Sequence, residues 1–98
     1  MMSAAPKLSL VSIPTVNALG SIRSTLRRQE SRTADQRKLA LIGATISAID
    51  QAQSIPVPLA VKTLELAQDY LTEMDDQDMS TLRAELNAVT TAERWSLN

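Results

Sequence analysis

A chain of 98 residues with a net charge of -1 has room for one domain. Its two glycines and four prolines are too few to turn a many-stranded β fold. The absence of cysteine and histidine excludes a disulfide framework, deprives a zinc site of its usual ligands and removes the commonest catalytic nucleophile–base pairs.

With no Phe, one Tyr and one Trp, the core has to be built from Leu, Ile, Val, Ala and Met. An all-α fold is the economical solution: a small helical bundle of three main helices, plus a weaker N-terminal helix and an extended N-terminal arm. The small net charge conceals an asymmetry. Residues 1–38 carry Lys7, Arg23, Arg27, Arg28, Arg32, Arg37 and Lys38 against Glu30 and Asp35, a net of +5. Residues 39–98 carry Lys62, Arg83 and Arg94 against nine carboxylates, a net of -6.

Residues 1–14, MMSAAPKLSLVSIP, show no helical period, and two prolines bracket a short alternating run. They are expected to form an extended arm, with residues 15–98 as a single helical domain. No carboxylate precedes Glu30, and Ser and Arg are frequent, which is also the composition of an organelle transit peptide. The expected location is the cytoplasm, with that transit segment as the alternative. No run approaches the roughly 18 apolar residues of a membrane span.

From Thr15 to Ser31, Val16, Leu19, Ile22 and Leu26 make a helical stripe. Gly20 weakens it by about 1 kcal/mol relative to Ala, and the alternative is a helix that begins at Ser21. Arg23, Arg27 and Arg28 project from the opposite surface. Gln36 to Gln53 is the most strongly patterned stretch: Leu39, Ile42, Ile46 and Ile49 share one face. Thr33 and Gln36 have the spacing of a capping box. Ala40, Ala44 and Ala48 form an adjacent smooth strip on which a second copy of the chain could pack, making a homodimer.

Pro56 and Pro58 end this helix and open the next, about Pro58 to Met74. Val61, Leu64 and Leu71 form one stripe of that helix and Leu59, Leu66 and Tyr70 another, so it is expected to be flanked on two sides. Asp75, Asp76 and Asp78 lack the Gly and terminal Glu of an EF-hand loop. Their expected role is to cap the last helix, about Met79 to Arg94, whose stripe is Met79, Leu82, Leu86 and Val89. Trp95 is expected to close the open end of the core; the alternative, beside Arg94, is an interface anchor.

Two charged rows are candidates for partner contact. Glu65, Asp69 and Glu73 recur at every fourth residue of the third helix, and Arg23 and Arg27 at the same pitch on the first. Such rows suit helices lying side by side, within one chain or across a dimer. The six cations from Arg23 to Lys38, Arg28 and Arg32 among them, also suit a phosphate backbone, although no aromatic residue in the segment can stack on a base. The sequence therefore points to a non-catalytic protein–protein interaction module, a small regulator, inhibitor or adaptor. A nucleic-acid-binding regulator is the alternative. Neither reading calls for a cofactor or a metal.

Overall fold

The computed structural model describes residues 9–74 and 76–96. Most of the expected arm (residues 1–8), Asp75 of the acidic turn and the tail residues 97 and 98 lie outside that range. Four α-helices follow one another: α1 (Ile13–Arg32), α2 (Gln36–Ala52), α3 (Val57–Met74) and α4 (Gln77–Trp95). Among the described residues there is no strand. Short links make sequential neighbours antiparallel, and each helix touches two others, in the order α1, α2, α3, α4 and back to α1. The pairs α1–α3 and α2–α4 are diagonal. A Cα envelope 19 Å across in both short directions fits this two-by-two arrangement at helix spacings of about 8–10 Å.

The core is aliphatic throughout. Leu19, Ile22 and Leu26 of α1 meet Ile42 and Ile49 of α2, Leu64 and Leu71 of α3, and Met79 and Leu86 of α4, each 2 % exposed or less. α3 is the most closely embedded helix, lying against both α2 and α4. Its core side includes Ala60 and Ala67, both fully buried, and their small side chains let neighbouring backbones approach.

Several expectations need correction. Gly20 does not delay α1 to Ser21: the helix runs 20 residues and begins at Ile13, with Pro14 in the first turn. Packing of Leu19, Ile22 and Leu26 outweighs the glycine cost. The boundary of the arm moves accordingly to Ser12. Gly20 is exposed and an added Cβ meets nothing within 4 Å, so Gly20→Ala is expected to raise stability by about 0.5–1 kcal/mol. A higher urea midpoint at unchanged slope is the check.

The cap of α2 is Asp35 rather than Thr33. The Asp35 carboxylate accepts from the N–H groups of Arg37 and Lys38, while the Thr33 hydroxyl donates to the Gln29 carbonyl and serves the end of α1. The acidic turn behaves as expected where it is described, with Asp76 capping α4 and Asp78 in its first turn. Trp95 does not close the core; it is 71 % exposed. The second stripe of α3 is not covered either, since Leu59 and Leu66 are exposed and Tyr70 is half-buried.

Candidate protein-interaction surface

Every seam between neighbouring helices carries a polar clasp. Arg23 of α1 bonds Asp50 of α2 at 2.9 Å, Arg37 of α2 bonds Glu73 of α3 at 3.1 Å, and Arg94 of α4 pairs with Glu65 of α3. Gln29 of α1 donates to Asp78 of α4 at 3.3 Å. Exposed pairs of this kind contribute about 0–1 kcal/mol each. Their effect is on which helices are neighbours and in what register.

The charged rows expected to lie side by side therefore do not meet within the chain, because α1 and α3 are diagonal. Arg23 turns to Asp50 and Arg27 to Glu30 on its own helix, at 3.1 Å. Glu65 and Glu73 are divided between α4 and α2. Asp69 is exposed and has no ion-pair partner among the described residues. Arg28 and Arg32 are likewise exposed without a carboxylate partner, and both line an open groove between α1 and α4 with Asp78 and Glu85.

At the same end of the bundle Lys38 reaches from the first turn of α2 to Asp76, the cap of α4. The hydrogen bond from Lys38, then that from the Asp78 N–H, holds the Asp76 carboxyl below its ordinary value.

The opposite end contains a polar cluster that the sequence did not announce. Glu93, on the last turn of α4, is 4 % exposed, yet its Oε2 accepts from the N–H of Ser12 at 3.1 Å and the hydroxyl of Ser12 at 2.8 Å. It also accepts from the Thr15 hydroxyl. Ser12 precedes α1 but makes no local side-chain cap. A carboxylate about eighty positions away in sequence takes that place, where the positive end of the helix favours a negative charge. Burial pushes the Glu93 carboxyl up, but the bonds from Thr15 and Ser12 outweigh it and hold the group below its ordinary value. Nearby, the Val57 N–H donates to the Ser9 carbonyl at 2.9 Å, so the chain entering α1 is tied to the start of α3. Through its Oε2, Glu93 ties the last turn of α4 to the start of α1.

Among the described residues, large apolar side chains are exposed in two places. Leu10, Ile13 and Trp95 stand where the chain enters α1 and leaves α4, with Ile13 and Trp95 each 71 % exposed. Leu59 and Leu66 stand on the outside of α3, 53 % and 46 % exposed. Periodicity finds Leu59 and Leu66 but cannot say that none of the described helices covers them.

The alanine strip of α2 is divided. Ala48 is in the core at 5 % exposure, Ala44 is half-buried and Ala40 is exposed, so only the first two-thirds of the expected strip faces outward. Among the described residues no group of three potential metal ligands comes together, and no helix is long and apolar enough to cross a membrane. No protein-family model, no curated protein and no solved structure matches the chain.

Proposed function

We propose that this protein is a non-catalytic interaction module, a small regulator, inhibitor or adaptor that binds another protein through the outer surfaces of its helices. The observation that carries this reading is the exposure of large apolar side chains on a fold that has a complete aliphatic core without them. Ile13, Trp95, Leu59 and Leu66 leave apolar area in water that a partner would cover. Tryptophan and arginine are frequent anchors of such contacts, and Trp95 follows Arg94 at the end of α4.

The ion pairs weigh against nucleic acid as the partner. Of the six cations from Arg23 to Lys38, four are held by carboxylates: Arg23 by Asp50, Arg27 by Glu30, Arg37 by Glu73 and Lys38 by Asp76. A phosphate approaching these side chains meets the carboxylate as well. Of these six, Arg28 and Arg32 are left without a carboxylate partner among the described residues to supply counterion release.

The test has two arms. Tagged parent protein and the Ile13→Asp, Trp95→Ala double variant are used to capture partners from the native cell, with mass spectrometry as the readout and helicity confirming both folds. A protein held by the parent and lost from the variant supports the reading. In the second arm, fluorescence anisotropy with duplex and single-stranded DNA and RNA is followed against salt. Affinity that falls steeply with salt and vanishes on changing Arg28 and Arg32 to Glu would replace this reading with the nucleic-acid one.

A further inference from the structure

The outer face of the α2–α3 pair is complementary to itself. Leu59, Leu66 and Glu73 follow at intervals of seven, so they share one row of α3. Glu73 is bonded to Arg37 of α2, which places that row on the α2 side. The opposite side of α3 faces α4, as the Glu65–Arg94 pair and the Gln68–Thr90 hydrogen bond show.

Because α2 and α3 are antiparallel, each step forward on α2 from Arg37 matches a step back on α3 from Glu73. Ala40 then stands level with Tyr70, Ala44 with Leu66 and Gln51 with Leu59. Over the Ala40 and Ala44 levels, then, small side chains on α2 lie beside large ones on α3, while at the far end Gln51 stands beside Leu59. Leu59 and Leu66 are exposed, Tyr70 and Ala44 half-buried and Ala40 exposed.

We propose that a second copy of this chain docks on this face, related by a two-fold axis parallel to the helices. That axis sets α2 of one copy against α3 of the other at the same level. Leu66 enters the space over Ala44 of the second copy and Tyr70 the space over Ala40. Glu73 comes beside Arg37 of the second copy, so two ion pairs join into a four-charge group of alternating sign. Each contact occurs twice.

A two-fold axis across the helices is the competing geometry. It sets α3 on α3 and α2 on α2, large side chains on large and small on small, with a gap over the alanines and no carboxylate opposite Arg37. Shape and charge both favour the parallel arrangement. The proposal rests on the reading above, that the exposed apolar side chains serve protein contacts, and it names the partner for one of the two places where they occur.

The chain has no cysteine, so single-cysteine variants report the geometry directly. The parent protein is expected to sediment as a dimer at micromolar concentrations. Leu66→Glu, which alters an exposed residue, is expected to keep full helicity and weaken the dimer at least tenfold, roughly, because the change enters the contact twice. Mixing Ala44→Cys with Leu66→Cys under mild oxidation is expected to give a cross-linked heterodimer, with little self-linking of Leu66→Cys.

A monomeric parent overturns the proposal, as does a dimer indifferent to Leu66→Glu. Efficient self-linking of Leu66→Cys overturns the parallel axis. A monomeric parent whose captured partner is lost on Leu66→Glu overturns self-association while leaving the interaction reading in place.

Discussion

Replacing Leu64 with Ala is expected to lower stability by about 2–5 kcal/mol, the range for deleting a buried aliphatic side chain whose surroundings relax only partly. Leu64 is completely buried at the centre of α3, the helix in closest contact with two neighbours. Ala60 and Ala67 stand one turn to either side on the same face and are too small to swing into the space left behind. Leu66, two positions on and 46 % exposed, is the internal control. Leu66→Ala is expected to change stability by no more than about 0.5 kcal/mol at concentrations where the protein is monomeric. Urea unfolding separates the two. Equal midpoints for Leu64→Ala and the parent would contradict the packing described above.

The second large effect is expected at Glu93. Glu93→Ala removes one acceptor that serves the Ser12 N–H, the Ser12 hydroxyl and the Thr15 hydroxyl; Thr15 is buried and loses its carboxylate partner, whereas Ser12 is exposed and its donors turn to water. The expected loss is about 1–3 kcal/mol. It should be accompanied by faster amide exchange at the start of α1, where the carboxylate supplies the cap. A variant with parental stability and unchanged exchange would show that the cluster adds nothing to the fold.

The same cluster dictates a pH dependence. The folded-state pKa of Glu93 is lowered, and that of Asp76 is lowered too. Each carboxyl therefore binds its proton more readily in the unfolded chain. Their stabilisation is fully present above the ordinary carboxyl range, about 4–4.5, and is lost as pH falls through the lower folded values. The thermal midpoint should be level from mildly acidic to neutral pH and then drop below about pH 4. Glu93→Gln should flatten that acid limb, since the group no longer titrates. An acid limb of the same slope in the variant would assign the dependence to other carboxylates.

What the sequence determined by itself is the helical content and most of the buried faces. Ile42, Ile46 and Ile49 on α2, Val61, Leu64 and Leu71 on α3, and Met79, Leu82 and Leu86 on α4 are buried as their spacing requires. Helical period and apolar character are local properties, so they are visible before any helix meets another. The cap of α4 by an Asp is visible for the same reason, because its donor lies two residues away.

Tertiary structure decided what depends on which helix lies beside which. The Arg23–Arg27 and Glu65–Asp69–Glu73 rows have matching pitch, yet they sit on diagonal helices and are answered by other residues. Ala40, Ala44 and Ala48 are chemically alike, but the place of α3 sends Ala48 into the core and leaves Ala40 outside. Leu59, Leu66 and Trp95 read as core residues by pattern and are exposed because none of the described helices covers them. Glu93 is the clearest case. The spacing of Met79, Leu82, Leu86 and Val89 continues to position 93 and so puts Glu93 on the buried face of α4, but its partners, Ser12 and Thr15, come from the other end of the sequence, so nothing local says what answers its charge. Local pattern specifies what a helix can bury; only the packed bundle specifies what each polar or apolar side chain finds opposite it.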